Sequence, residues 1–264
     1  GLKSLWTNAF AAYSRTAYEA ASKITTLYRG NQDMQKRDGA PAGKLAIIPN
    51  GIDVDRFAKV QRSTRNRRPC VALIGRVVPI KDIKTYIRAI RILADNVPDI
   101  DALVLGPDDE DAAYATECRA MVQQLGLSGN LKFTGRVKLD EYLHRIDLNV
   151  LTSVSEAQPL VVLEAGAAGI PSVSTDVGCC RELLSGLEDE DPSLGEGGLI
   201  TPLANPTAIA AAMQSLLSNP ERLAKAGQAM KRRVNLFYNK HIIDRRYRQL
   251  YDSAARTPSR QEAA

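Results

Sequence analysis

The sequence predicts an α/β fold in which a parallel β-sheet is covered by helices on both faces. Its apolar runs, such as "CVALIG" (70–75) and "DALVLG" (101–106), are short and continuous. Continuous apolar runs are typical of strands buried on both sides. Stretches with the helical period lie between them, as in "IKTYIRAIRILADNV" (83–97). Strands and helices that alternate in this way favour a parallel sheet, with its ligand at the carboxyl ends of the strands.

The residues before this regular part are predicted to form helices and strands in alternation. We expect an amphipathic helix over 1–22, a short buried strand over 23–28, a helix over 31–39 that ends at Gly39, and a strand over 44–53. Asn50 and Gly51 are typical of a turn at the end of that strand. The polar and basic stretch 59–69 is predicted to be a linker or an edge.

From residue 70 onward the pattern is regular. Strands are predicted at 70–75, 101–106, 130–135, 147–153 and 171–175, and helices at 83–97, 114–126, 139–146 and 159–169. The rest is predicted to be helical, at 178–184, 206–218, 220–235 and 239–254, apart from a frayed tail over 255–264. The loops that follow the strands are therefore where binding residues are expected.

Composition and charge narrow the classes of partner. The 264 residues are 44% hydrophobic and 25% charged, as in an ordinary globular protein of one large or two small domains. A net charge of +5 favours an anionic partner, such as a phosphorylated metabolite. Nucleic acid is disfavoured because aromatic residues make up only 5% of the chain. No apolar run approaches the roughly 18 residues that a membrane span needs.

The cysteine and histidine content predicts neither disulfides nor a zinc site. The cysteines are Cys70, Cys118, Cys179 and Cys180, and no two of them form a CxxC pair. Adjacent cysteines cannot close an unstrained disulfide. Two histidines, His144 and His241, are too few for a recognisable zinc set. Reduced thiols in a cytoplasmic protein are expected.

The loop after the strand at 70–75 combines a glycine with two cations. Gly75 ends the strand, Arg76 follows at once, and Lys81 lies just before the next helix. The spacing matches neither GxGxxG nor GxxxxGK[ST]. A guanidinium and an ammonium beside a crevice are suited to hold a diphosphate. The alternative is two solvated basic residues in a loop.

The loop after the next strand is acidic. In "GPDDED" (106–111), Asp109, Glu110 and Asp111 resemble a DxD cluster that binds a divalent cation together with a nucleotide sugar. The same residues precede a predicted helix, where acidic side chains favour the positive end of the helix dipole. The second interpretation is preferred and the first stays open.

Two further loops complete the candidate crevice. "FTGRV" (133–137) ends a strand at Gly135, where a glycine permits close approach of a flat ring such as a nucleobase. "SEAQPLVVLEAGAAGIP" (155–171) carries Glu156 before a predicted helix and Glu164 within it. Pro159 suits the first turn of that helix, whose free N–H groups form an anion site. The alternatives are a helix-capping role for Glu156 and a backbone-satisfied buried carboxylate at Glu164.

These loops, in this order, resemble the retaining glycosyltransferases of family 4, whose GT-B architecture has two Rossmann-like domains. The segment 155–178 resembles the E-x7-E signature, "IPNGIDVDRF" (48–57) the start of the C-terminal donor-binding domain, and 75–90 the Gly-Arg…Lys diphosphate motif. The resemblance covers about 45–250, and the wording is nearest to the Pel-type exopolysaccharide glycosyltransferases. It implies a Rossmann-like sheet that is the C-terminal half of a GT-B enzyme.

The resemblance also implies a role for each candidate residue. Arg76 and Lys81, next to Gly75, would grip the donor diphosphate, Glu164 would bind the ribose hydroxyls, and Glu156 would orient the transferred sugar. The amides around Gln158, Pro159, Leu160 and Val161 would contact phosphate or sugar, and Gly135, Arg136 and Val137 would border the uracil.

The implied activity is transfer of a hexose, such as glucose, from a UDP-sugar to a growing polysaccharide, with retention and without a metal or other cofactor. Residues 1–50 would be the remnant of an acceptor domain, 51–235 the nucleotide-sugar domain, and 236–264 a crossover helix and tail. Since the chain starts at Gly1 and not at Met, we expect a piece of a longer protein that binds donor with little transfer of its own.

The expected partners are a UDP-sugar, a polysaccharide acceptor, an N-terminal domain and a membrane-bound polysaccharide synthesis complex at the cytoplasmic face. Two alternatives stay open, namely a noncatalytic nucleotide-sugar-binding module and a metal-dependent transferase that uses Asp109 and Asp111. The basic, helical stretch 231–260 is expected to pack as a crossover helix, with a partner-binding or membrane-surface role as the alternative.

Overall fold

The computed structural model of the chain describes residues 2–60, 67–187 and 190–255. The described residues form two compact units. One contains those up to Gly51 together with those from Tyr238 onward, and the other is Ile52–Phe237. Part of the predicted linker at 59–69 and nearly all of the predicted tail at 255–264 lie outside the described residues. Within those residues, no helix has both the length and the apolar content of a membrane span.

The described part of the first unit contains helices and two short strands. They are α1 (Leu2–Ala20), β1 (Ile24–Thr26), α2 (Arg29–Arg37), β2 (Leu45–Ile47) and the last helix of the chain, α11 (Lys240–Ala255). β1 and β2 pair in parallel, with Ile24 opposite Leu45. A Cβ at Gly51 would lie 2.8 Å from the Cα of Lys240, so this glycine permits the start of α11 to approach closely. The assignment of residues 1–50 to the remnant of an acceptor domain, and of 236–264 to a crossover helix and tail, stays a prediction.

The second unit contains a six-stranded parallel sheet. Its elements are α3 (Val54–Ala58), β3 (Cys70–Ile74), α4 (Ile83–Asn96), β4 (Asp101–Leu105), α5 (Ala112–Gln124), β5 (Leu131–Gly135), α6 (Asp140–Leu143), β6 (Leu148–Leu151), α7 (Leu160–Ala167), β7 (Ser172–Thr175), α8 (Cys180–Ser185), β8 (Gly198–Thr201), α9 (Pro206–Leu217) and α10 (Pro220–Phe237). The predicted α/β class with a parallel sheet is confirmed.

The strand order positions the site. It runs β5-β4-β3-β6-β7-β8 across the sheet. The chain moves outward from β3 in one direction and outward from β6 in the other, so the order reverses between these two strands. In sheets of this kind a crevice opens at the carboxyl ends of the two strands that flank the reversal. The loops after β3 and β6 are therefore brought together at that crevice.

Helices cover both faces of the sheet. All five residues of β3 and all four of β6 are buried. One face packs against α4, α5 and α9, whose apolar residues join those of the strands in one core. On the other face α7 packs against α10, and Gly166 makes this contact close, since a Cβ there would lie 2.8 Å from Cε of Met230. The rigid sheet and its two helical layers thus fix where the crevice loops begin.

One predicted region was wrong. The part of the chain after residue 178 was expected to be purely helical, but Gly198–Thr201 forms β8, which pairs in parallel with β7. The strand has only four residues and follows a glycine-rich stretch, so it carries little apolar pattern. Gly198 is needed at its start, because a Cβ there would clash with the carbonyl oxygen of Ser172.

Candidate functional site

Lys81 and Glu156 meet at the point where the strand order reverses. Lys81 follows β3 and Glu156 follows β6, 75 positions later in the chain. The Nζ atom of Lys81 donates to Oε1 of Glu156 at 2.6 Å, and the two side chains are 17% and 15% exposed. Two predicted site residues from different loops are thus joined by a largely buried ion pair.

The backbone around Lys81 is tied to the loop after β6. A 3₁₀ turn over Pro79–Lys81 precedes α4, which Asp82 caps by accepting from the N–H of Thr85. The hydroxyl of Thr152 donates to the carbonyl oxygen of Lys81 at 2.7 Å. Because Thr152 comes directly after β6, this hydrogen bond connects the two crevice loops.

Gly75 lies directly beside the side chain of Lys81. A Cβ at Gly75 would lie 3.4 Å from Cε and 3.9 Å from Nζ of Lys81. The lysine side chain therefore lies over the end of β3, at ordinary contact distance from that position. A second tie supports this path, since the N–H of Val154 donates to the carbonyl oxygen of Ile80 at 2.9 Å.

Glu156 is held from its side chain and from its backbone. The buried hydroxyl of Ser153 donates to Oε1 at 2.7 Å, so this oxygen accepts from both Ser153 and Lys81. The carbonyl of the next residue, Ala157, accepts from the N–H of Cys179 at 3.0 Å. A Cβ at Gly178 would clash with the carbonyl oxygens of Glu156 and Ala157, so a glycine is required against this peptide.

The two carboxylate oxygens of Glu156 differ in their hydrogen-bond partners. Within the part of the chain that the structure describes, Oε2 has no hydrogen-bond partner, whereas Oε1 has two. The alternative of a helix-capping role is wrong, because no side chain caps α7 at its start. The carboxylate is oriented by Ser153 and Lys81 instead.

The start of α7 presents free N–H groups, and its role as an anion site stays a prediction. The N–H of Val162 donates to the carbonyl oxygen of Pro159 at 3.1 Å. The N–H groups of Leu160 and Val161 have no acceptor among the described residues. Pro159 is buried, and Leu160 is 43% exposed. Gln158, also buried, completes the predicted set at this helix end. Free N–H groups at a helix start attract phosphate and other anions.

Arg76 is directed toward the acidic loop after β4. Its Nη1 atom donates to both carboxylate oxygens of Glu110 at 2.6 Å, and the two side chains are 53% and 51% exposed. Asp111 caps α5 by accepting from the N–H of Tyr114 at 3.0 Å, as the helix-start interpretation of this loop expects. Among the described residues, no three acidic, histidine or cysteine side chains converge as metal ligands.

Glu164 lies near a different pair of charges. It is half-buried in the second turn of α7, and burial raises the pKa of Glu164. The positive charge of Arg56 opposes that increase in pKa, and the negative charge of Asp140 adds to it. Arg56 in α3 donates to Asp140 in α6 at 2.9 Å. This carboxylate is thus partly desolvated and only partly neutralised, and its role as an acceptor for ribose hydroxyls stays a prediction.

The end of β5 is open on one side. Gly135 has φ +68°, and a Cβ there would meet no atom within 4 Å. Its carbonyl oxygen accepts from the N–H of Gly106 at 3.1 Å, which joins the loops after β4 and β5. Arg136 is exposed and Val137 is half-buried. The glycine is required by its backbone conformation, and the space over it is suited to a flat ring.

The cysteines are structural. All four are free and buried. Burial raises the pKa of the Cys70, Cys118 and Cys180 thiols to about 11. Thiols with such pKa values are unreactive near neutral pH.

The crevice thus joins Lys81 and Glu156 directly, while Arg76 and Glu164 have other charged partners. Sequence reasoning missed Thr152, Ser153 and Gly178, which orient the central pair. A signal existed for the first two, because polar residues that directly follow a buried strand lie at the ligand edge of the sheet. Nothing in the sequence indicates that Arg56 and Asp140 form an ion pair, because they are 84 positions apart.

Two family models match the chain. The model described as "Glycosyl transferases group 1" matches residues 55–233. A second one, described as a domain of unknown function (DUF3492), matches residues 1–43. The first covers well over half of the chain and contains all the crevice loops.

Among curated proteins, a D-inositol 3-phosphate glycosyltransferase of Catenulispora acidiphila is 28% identical over 225 residues, which cover 80% of this chain and 48% of that protein. A glycogen synthase of Mycobacterium tuberculosis is 25% identical over 240 residues, which cover 90% of this chain and 55% of that protein. The chain spans about half the length of these curated relatives.

Solved structures share the fold. HepE of Anabaena in complex with UDP superposes with a TM-score of 0.79 at 20% identity, over 90% of this chain and 65% of that chain. A glycosyltransferase of Rickettsia africae superposes with a TM-score of 0.81 at 16% identity, over 95% of this chain and 68% of that chain. At these identities the likeness establishes the architecture alone.

Proposed function

Because the chain belongs to the group 1 glycosyl transferases, we propose that its crevice binds the UDP-sugar donor of a hexosyl transfer to a growing polysaccharide. One observation carries this proposal: Lys81 and Glu156 meet at 2.6 Å where the strand order reverses. A cation and a carboxylate side by side suit a ligand that has a diphosphate next to a sugar.

The proposed role of the cations follows from the charge that develops during transfer. When the bond between the anomeric carbon and the diphosphate oxygen breaks, its electron pair stays with UDP. Lys81 and the free N–H groups of Leu160 and Val161 would stabilise that negative charge, with Arg76 as a second cation. Preorganised donors of this kind commonly provide the largest part of catalysis. No metal is needed for this task, which supports a metal-independent transfer.

The two glutamates would act on the two sugars of the donor. Oε2 of Glu156 would face the hexose and stabilise positive charge at its anomeric carbon, because Oε1 is already held by Lys81 and Ser153. Glu164 would accept hydrogen bonds from the ribose hydroxyls, and the open face of Gly135 would border the uracil. Retention of configuration and a Pel-type role in exopolysaccharide synthesis belong to the proposal through the resemblance of the motifs.

The test is isothermal titration calorimetry of the chain with UDP, UDP-glucose and ADP-glucose, each with and without EDTA. We expect binding of UDP and UDP-glucose that is unchanged by EDTA and weaker for ADP-glucose. Absence of UDP binding would contradict the proposal. Binding that EDTA abolishes would support the metal-dependent alternative with Asp109 and Asp111.

Donor binding alone does not separate a transferase from a noncatalytic binding module. A longer protein that carries an acceptor domain is therefore incubated with radiolabelled UDP-glucose and an oligosaccharide acceptor. We expect transfer of label to the acceptor. Normal donor binding with no transfer would support the noncatalytic alternative.

A further inference from the structure

The acidic loop after β4 supplies one carboxylate to the exposed guanidinium of the crevice. Nη1 of Arg76 lies 2.6 Å from both Oε1 and Oε2 of Glu110. Within the described parts of the chain, neither side chain has another hydrogen-bond partner. An anion is thus already bound to the arginine that the proposed function assigns to the donor diphosphate.

We propose that Glu110 is a competing anion that occupies Arg76 in the free protein and is displaced when the donor diphosphate binds. The inference rests on the proposed function of the crevice. It makes Glu110 a residue that sets donor affinity, although Glu110 itself would not contact the donor.

The backbone of the two loops keeps this competitor close. The N–H of Val77 donates to the carbonyl oxygen of Pro107 at 2.8 Å, and the N–H of Gly75 donates to that of Leu105 at 2.9 Å. These bonds hold the residues that flank Arg76 against the start of the acidic loop. Asp111, at the other end of that loop, is fixed as the cap of α5. Glu110 therefore stays within reach of Arg76 in the free protein.

The charges favour the replacement of Glu110 by the donor diphosphate at Arg76. Exposed ion pairs contribute little to stability because water competes for both partners. A diphosphate carries more charge than a carboxylate, and it would also gain Lys81 and the free N–H groups of α7. The Lys81–Glu156 pair differs, because it is less than one-fifth exposed and Ser153 supports it, so it would remain intact.

The loop contains a matched control for long-range electrostatics. Asp109 precedes Glu110, is exposed, and has no hydrogen bond or ion pair within the described residues. Glu110→Gln and Asp109→Asn remove the same unit of negative charge from adjacent positions, but only the first removes the competitor from Arg76.

The experiment titrates UDP by calorimetry into the wild type, Glu110→Gln, Asp109→Asn, Arg76→Ala and the double variant Arg76→Ala with Glu110→Gln. We expect Glu110→Gln to strengthen UDP binding about two- to fivefold relative to Asp109→Asn. In the Arg76→Ala background the same change should have no such effect, because no guanidinium is left to release.

Equal gains from Glu110→Gln and Asp109→Asn would overturn the inference, since they would show a long-range charge effect only. A gain that persists without Arg76 would also overturn it, and so would weaker binding by Glu110→Gln, which would make Glu110 a support for Arg76. In all three cases the wild type binds UDP and the proposed function stands. If neither the wild type nor any variant binds UDP, both this inference and the proposed function are overturned.

Discussion

Two largely buried ion pairs in the unit Ile52–Phe237 differ in how many hydrogen bonds their side chains make. In the first, Arg233 of α10 contacts α8 and the segment between α8 and β8, and its side chain is 1% exposed. Its Nε and Nη2 atoms donate to the two oxygens of Glu190 at 2.6 and 2.8 Å. Nη1 and Nη2 also donate to the carbonyl oxygens of Leu183, Leu184 and Gly195. This guanidinium has no donor direction left for a ligand.

The second pair, Lys81–Glu156, can still form further hydrogen bonds. Its side chains are 17% and 15% exposed, Nζ makes one hydrogen bond, and Oε2 makes none within the described residues. A pair whose hydrogen-bonding groups are all in use, which we call saturated, has a structural role, because any further partner would have to break an existing hydrogen bond. An unsaturated pair at the ligand edge of a sheet can gain partners without losing any. The difference therefore separates a structural ion pair from the pair that we propose to bind the donor, although both are largely buried.

The largest expected effect comes from breaking the saturated pair. Arg233→Met would leave Glu190 buried without its cation and remove the donor from three carbonyl groups. We expect a loss of about 3–5 kcal/mol in the free energy of unfolding. Urea unfolding followed by circular dichroism measures it.

The neighbouring exposed residue provides the control for that experiment. Arg232→Met makes the same substitution on the same helix, and exposed substitutions usually change stability by about 0.5 kcal/mol or less. Equal losses in the two variants would contradict the structural role of Arg233. Folded Arg233→Met protein should bind UDP like the wild type.

Breaking the unsaturated pair should affect binding more than stability. Lys81→Met removes a charged donor to the diphosphate, and we expect UDP affinity to fall roughly 10- to 100-fold. The free energy of unfolding should fall by only about 1 kcal/mol, since Ser153 still supports Glu156 and the carboxylate is partly exposed. Calorimetry and urea unfolding on the same samples give both values.

Lys84→Met is the matched control, because Lys84 lies one turn further along and pairs with Glu117 on α5. Its UDP affinity should stay within about twofold of the wild type. If Lys81→Met instead loses as much stability as Arg233→Met and keeps its UDP affinity, the Lys81–Glu156 pair has a structural role and not a binding role.

A smaller effect should separate the sugar from the nucleotide. Ser153→Ala removes one of the two donors that orient Glu156. We expect the affinity for UDP-glucose to fall about fivefold, which corresponds to one hydrogen bond. The affinity for UDP alone should be unchanged, because Glu156 would face the hexose and not the nucleotide. Ser155→Ala, an exposed change in the same loop, is the control. Equal losses for UDP and UDP-glucose would show that Ser153 supports the whole loop.

The sequence predicted the scaffold of this site better than its charged contacts. Apolar runs and helical periods follow from burial, which is a local property of each segment, so β3 through β7 lie where expected. The same logic missed β8, whose four residues carry too little pattern. The expectation that binding residues follow the strands was also useful, because the loops after β3 and β6 lie at one edge of the sheet, where Lys81 and Glu156 meet.

The partners of individual side chains could not be read from the sequence. Arg76 and Glu110 are 34 positions apart, and Arg233 and Glu190 are 43 apart. Nothing in either segment distinguishes a charge that will be paired from one that will be solvated, because the pairing depends on strand order and loop path. Long-range electrostatics therefore required coordinates, whereas the class of fold did not.

The smallest effect concerns Glu164, which resembles neither ion pair because its carboxylate is only partly neutralised. Burial raises the pKa of this carboxyl in the folded protein, so its favourable contribution to stability is complete below its unfolded pKa of about 4.3 and is lost as pH rises through the raised value. Glu164→Gln has no such titration. We therefore expect this variant to melt at a higher temperature than the wild type near pH 8, and the two melting curves to converge as the pH approaches about 4.

The same substitution should weaken UDP binding, because a carboxylate accepts hydrogen bonds from the ribose more strongly than an amide does. Glu141→Gln, an exposed change in α6 beside Asp140, controls for the loss of one negative charge in this region. We expect Glu164→Gln to be more stable and to bind UDP more weakly, and Glu141→Gln to show neither change. That result would show that the Glu164 carboxylate lowers the stability of the fold but strengthens UDP binding. If the melting temperature of Glu164→Gln falls at pH 8, the carboxylate instead stabilises the fold, and Arg56 compensates its burial more fully than the direction of the pKa shift indicates.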